Sequence, residues 1–197
     1  MSGSWVMWAV WGAPFLALLL LVIDDWRMQV LLLAGLYTLA AATVTAAWPL
    51  PLAAAQLVAG WLSGAILAIA QNIQLRRGAG PPSPLTGRLF RLLVAAAALV
   101  VIIQALPTLH AWWPQVPRRV VFSAMALFAL GALHLAWTWQ PLRLAIGSLT
   151  LLVGFWLIYA WLQHGLLLSG LLAVLQAMVA WAGGYLLVQG SSHEGQA

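Results

Sequence analysis

Apolar residues fill this chain in seven long blocks, each closed by a short cluster of charged, proline or glycine residues. A helix needs about 20 apolar residues to cross a hydrocarbon core of about 30 Å, and blocks slightly shorter or longer also serve. The pattern predicts spans at roughly 5–23, 28–48, 52–73, 89–106, 120–137, 144–162 and 166–188. Asp24-Asp25-Trp26-Arg27 closes the first, Pro49-Leu50-Pro51 the second and Arg76-Arg77 the third. A Gly/Pro-rich linker, 78–88, follows, because Gly78 to Pro84 suits neither helix nor strand. Pro107 to Arg119 separates the fourth and fifth spans, Pro141 and Arg143 precede the sixth, and 190–197 is a polar tail. The expected fold is all-α: a polytopic integral membrane protein of about seven transmembrane helices in one domain, 1–197. Three spans (1–77) precede the linker and four (89–189) follow it. The first block lacks the basic start and small-residue cleavage site of a signal peptide, so it is expected to be retained. No sequence repeat relates the two halves.

Composition agrees with lipid as the solvent. Of 197 residues, 64% are hydrophobic and 6% charged, where average chains carry about 25% charged residues. Mean hydropathy is +1.00. Trp5, Trp8, Trp26, Trp48, Trp112, Trp113, Trp137, Trp139 and Trp161 fall at or near span ends, where amphipathic rings prefer the headgroup layer. Trp61, Trp156 and Trp181 lie deeper and are expected to pack against helices or lipid.

The eight basic residues are all arginine. With the N-terminus outside and the C-terminus cytoplasmic, Arg27, Arg76, Arg77, Arg88, Arg91 and Arg143 lie on the inner side, leaving Arg118 and Arg119 outside. That asymmetry follows the positive-inside rule. Arginines this few and scattered make no phosphate-tracking patch, so nucleic acid is not an expected partner. Arginine without lysine in an Ala/Leu-rich chain fits a GC-rich bacterial genome, hence a bacterial cytoplasmic (inner) membrane.

The carboxylates are Asp24, Asp25 and Glu194, and there is no cysteine. An acidic magnesium or calcium site, a thiolate metal site, an iron–sulfur cluster and a cysteine nucleophile are thereby excluded. None of the predicted spans holds an acid or a lysine, which argues against a proton route through a buried carboxylate. No catalytic residue, metal site or resident cofactor is expected, although a quinone, lipid or pigment could contact a groove.

The remaining polar candidates are few. His134 lies in the fifth span and could relay a proton or ligate haem, but its commoner role is a hydrogen bond to a neighbouring helix. His110 and His164 fall near outer loops, so no second ligand is level with it. Gln176, near the middle of the seventh span, must face another helix or a partner chain, because a bare amide is costly in lipid. Gln56, Gln71 and Gln104 lie nearer span ends, and Arg143 opens the sixth span as an interface candidate. Gly60 and Gly64 form a small-xxx-small pair, and Gly147, Gly154 and Gly183-Gly184 permit the same close helix approach.

The last three spans resemble a known family. A helix over 120–137 leads into the turn Trp139-Gln140-Pro141-Leu142-Arg143, then a helix opening Leu144-Ala145-Ile146-Gly147 and continuing to Gly154, then Leu171 to Ala177. This order resembles the small NuoK-type subunit of respiratory complex I over 120–189. The whole layout, with Ile23 to Met28 at the first turn, is similar to component E of hydrogenase-4. The resemblance implies a membrane subunit packed between antiporter-like and electron-transfer subunits. Those families carry carboxylates in their last two helices. Here the corresponding positions are Leu149 or Leu152, and Gln176, so the resemblance does not carry a proton-translocating role across.

The leading expectation is therefore a non-catalytic integral subunit of a multisubunit respiratory or energy-converting complex, complex I-like or membrane-bound hydrogenase-like, with other membrane subunits and lipids as partners. The alternative is a small transporter or permease with a polar pathway near Gln176 and His134, joined by Gln56, Gln71, Thr38, Thr43 and Thr45; inverted repeats and broken helices would favour it. An interfacial enzyme would need Asp24, Asp25 and Arg27, whose expected state is a solvated turn.

Overall fold

A computed structural model of the chain describes residues 4–75, 85–138, 140–163 and 165–193. Every regular element among them is a helix: α1 (Ser4–Val22), α2 (Trp26–Val44), α3 (Leu50–Leu75), α4 (Leu85–Trp112), α5 (Arg118–Ala136), α6 (Pro141–Leu162) and α7 (Leu166–His193). Six of them, α2 to α7, are long and apolar enough to cross a membrane; the apolar part described for α1 is Trp8–Val22.

Local chemistry sets the breaks. Asp25 caps α2, its carboxylate accepting the Arg27 amide at 3.0 Å. Pro141 opens α6, where a missing N–H costs nothing. Inside the helices, hydroxyls fold back on the carbonyl four residues earlier, as in Thr38 to Ala34, Thr43 to Leu39, Ser63 to Ala59 and Thr150 to Ile146. Each is thereby satisfied without water.

Several expected boundaries move. α4 begins at Leu85, so 85–88 belongs to its first turn and not to a linker; residues 76–84 lie outside the described residues. It also continues through Pro107 to Trp112. Proline removes one backbone bond, which a helix that is otherwise apolar tolerates near its end. α2 stops at Val44, and residues 45–48 form turns. α7 runs on to His193, so 190–193 is helix rather than tail, and 194–197 lies outside the described residues.

Contacts at the two ends give the direction of each helix. Asp24, just after α1, meets Arg88 and Arg91 at the start of α4 and Arg143 at the start of α6. At the other end, Trp48 between α2 and α3 donates to the Gln163 carbonyl after α6 at 3.0 Å and stands edge-on to Tyr159. The helices thus alternate in direction, and α3 and α7 run parallel.

α6 is the most enclosed helix. Its neighbours are α5, α7 and α2, and Ile146, Leu149, Val153, Trp156 and Ala160 are fully buried. It meets α5 backbone to backbone: a methyl on Gly131 would come 2.9 Å from the Gly147 carbonyl oxygen, and one on Gly154 2.9 Å from that of Ala124. Gly131 was not singled out by spacing, because its partner glycine lies on another helix. α3, α4 and α7 form the periphery, with Leu62, Ile69, Leu93, Val101, Leu171 and Met178 on the outer surface, as expected where lipid replaces water.

Candidate functional site

The largest concentration of chemistry is ionic and lies at the end of the bundle where α1, α4 and α6 meet. The Asp24 carboxylate has 11% of its side-chain surface exposed. Its Oδ2 accepts Arg88 Nε at 2.7 Å, and its Oδ1 accepts Arg91 Nη2 at 3.0 Å and Arg143 Nη2. Arg91 is the most enclosed of the three, and it also donates Nη1 to the Leu21 carbonyl at 3.1 Å and Nε to the Gly87 carbonyl at 3.2 Å. The Leu21 carbonyl is one of those a helix C-terminus leaves unbonded, so the guanidinium caps α1 where the helix dipole is negative.

This overturns the expectation of a solvated turn at Asp24. Asp25 keeps the exposed capping role, and Arg27 lies over the Trp26 ring at 5.4 Å. Arg143, a candidate for a buried polar or interface position, pairs with Asp24 and has 14% of its side-chain surface exposed. Guanidiniums occupy both oxygens of Asp24.

His134 is buried on α5, its Cβ facing Gly147 of α6, and its Nε2 has no hydrogen-bond partner among the described residues. It lies within electrostatic reach of Arg143 and Arg91. No group of three His, Asp or Glu side chains converges on a point among the described residues, and His164 lies outside them.

A second polar seam joins α3 and α7. Gln56 Nε2 donates to Ser169 Oγ at 3.0 Å and to the Ser169 carbonyl at 2.5 Å. Because these helices run parallel, seven residues further on each brings Ser63 and Gln176 to a common depth, and both are fully buried. Neither Gln176 Oε1 nor Nε2 has a hydrogen-bond partner among the described residues. Ala145 packs on Gly183, which puts Gln176 level with about residue 152 of α6, while His134 is level with Gly147. The two candidates therefore differ in depth by about 7 Å, and α6 is the common neighbour of the helices that carry them.

Of the paired glycines, Gly60 is filled by the Tyr37 ring, which a methyl there would overlap, whereas at Gly64 the nearest atom is 3.9 Å away. The small-xxx-small pair thus serves one aromatic contact within the chain. Trp156 is core, while Trp61 and Trp181 lie on the outer surface. An open apolar groove of about 360 Å³ between α3 and α7 is lined by Ile66, Ile69, Ile73, Trp181, Tyr185 and Val188, among others. A smaller one, about 270 Å³, lies beside Arg88 against Val22, Leu89 and Leu92.

Neither the Asp24 hub nor Tyr37 was proposed as a site from sequence. The hub had one legible signal: four ionisable residues, Asp24, Arg88, Arg91 and Arg143, all fall on the side assigned as cytoplasmic. No protein-family model, curated protein or solved structure matches this chain. The class of protein that the fold defines is a multi-pass helical membrane protein.

Proposed function

We propose that the chain is a non-catalytic membrane subunit of a multisubunit energy-converting complex, of the complex I or membrane-bound hydrogenase kind, spanning a bacterial cytoplasmic membrane seven times with its N-terminus outside. The observation that carries the reading is on α4. Gln104 points outward, exposed, eight residues before the helix end at Trp112, which is about 12 Å along the axis. It makes no hydrogen bond within the described residues, and exposed Thr108 lies one turn on along the same face. An amide facing hydrocarbon is costly, and a neighbouring transmembrane helix offering a polar group at that depth removes the cost. Val100 one turn before it and Ala97 two turns before it are exposed and leave room for a neighbouring helix. The ionic hub supports the same reading, since it ties helices rather than leaving a titratable group in a span.

The test is a pull-down of the tagged chain in mild detergent, resolved on a native gel with mass spectrometry of what migrates with it. Stoichiometric antiporter-like subunits with iron–sulfur or quinone-linked partners are expected, and Gln104→Leu should weaken their retention. A lone monomer, or a dimer of this chain alone, would overturn the reading. A second reading, a small permease, is favoured by Gln176 alone, whose unpartnered amide could face a polar solute. It requires uptake by the reconstituted chain that Gln176→Leu abolishes.

A further inference from the structure

We propose that the groove beside Arg88 is a binding site for one anionic phospholipid, with the phosphate on the Arg88 guanidinium and an acyl chain against Val22, Leu89 and Leu92. The inference is independent of the subunit reading.

Charge is the first support. Among the described residues, three guanidiniums converge on the Asp24 carboxylate, and Asp25 and Arg27 next to it cancel, so these described residues carry a formal excess of two positive charges. Arg91 and Arg143 are turned inward with side-chain exposures of 6% and 14%, whereas Arg88 retains 38%. Arg88 gives its Nε to Asp24, and its two Nη groups make no hydrogen bond within the described residues. They form the planar fork that suits two phosphate oxygens.

Shape is the second. The groove is open and apolar, with a volume of about 270 Å³, and Arg88 is one of its lining residues. Leu89 and Leu92 are 65% and 41% exposed and point into lipid. Gly87, one residue before Arg88, has no atom within 4 Å of where a side chain would begin, which leaves room at the helix end for a headgroup. Arg88 is in the first turn of α4, at headgroup level, and the leucines lie within one turn below it. A phosphate above and a hydrocarbon chain below is the polarity of a phospholipid, and the basic end attracts anionic over zwitterionic ones.

The test is native mass spectrometry of the full chain, stripped of lipid in mild detergent and titrated with phosphatidylglycerol or with phosphatidylcholine of identical acyl chains. We expect phosphatidylglycerol to bind about tenfold more tightly, because both lipids offer the phosphate but only phosphatidylcholine adds a cationic choline that the basic end repels. Arg88→Gln should abolish that preference, whereas Arg119→Gln, at the opposite end, should keep it. Leu92→Trp fills the groove without touching the ionic hub and should weaken phosphatidylglycerol binding to a similar extent. It serves as the deciding variant if Arg88→Gln does not fold. Equal affinity for the two lipids, or phosphatidylglycerol binding that Leu92→Trp leaves unchanged, would overturn the proposal. So would full competition by inorganic phosphate, which would mean an anion site without a lipid groove.

Discussion

Replacing Asp24 by asparagine removes one charge and keeps the side chain's shape, so it isolates what the carboxylate does for its three arginines. Arg88 is 38% exposed and can turn to water, so its ion pair contributes close to nothing. Arg91 and Arg143, at 6% and 14%, cannot. Removing one partner of a buried ion pair costs about 3–5 kcal/mol, because the other charge is left uncompensated. The hub lies at helix ends, within reach of the headgroups, so the lower bound applies: about 3 kcal/mol, a hundredfold or so in the folding equilibrium. The assay is unfolding in mixed micelles with rising sodium dodecyl sulfate, followed by tryptophan fluorescence. A second substitution, Arg91→Gln, removes the orphaned charge, so the double variant should be more stable than the sum of the single losses by about 1 kcal/mol or more. A loss under about 0.5 kcal/mol for Asp24→Asn, or strict additivity of the two changes, would show that the hub is not a buried ion pair in the membrane.

Four further outcomes follow from the packing. Gly60→Ala should cost about 1–3 kcal/mol by overpacking against Tyr37, and Gly64→Ala should be silent, both read by thermal melting in detergent. Gly131→Ala and Gly154→Ala each push a methyl to 2.9 Å from a backbone oxygen that cannot swing aside, so each should separate α5 from α6 and lower the melting temperature more than Gly64→Ala does. Tyr37→Phe deletes a buried hydroxyl that has no partner and should be neutral or mildly stabilising in the same assay. Gln176→Leu likewise removes an unpartnered buried amide. Under the subunit reading it leaves the chain at least as stable and any uptake by proteoliposomes unchanged, and a loss of uptake would favour the permease.

Much of the architecture was written in the chain, and the reason is the solvent. In hydrocarbon every backbone group must be satisfied within its own segment, so a run of about 20 apolar residues has few choices besides a helix. All-helical structure and the apolar core of each helix were therefore legible from composition and spacing. The boundaries that moved lie at Leu85, Pro107, Val44 and His193, where interfacial residues accept either helix or turn. The burial of Gln176, Gln56 and His134 was also legible, because polar groups avoid lipid.

Which residues meet was not. Asp24 and Arg143 are 119 positions apart, and nothing in an apolar sequence says which helices are neighbours, since lipid-facing and helix-facing surfaces are equally hydrophobic. For that reason Asp24 read as a turn, Gly131 did not stand out, and Gly60 and Gly64 looked equivalent until Tyr37 was placed against one of them. Membership of a helix is decided by a residue's own segment. Neighbourhood is decided by shape and charge on other segments, and only the tertiary structure brings these together.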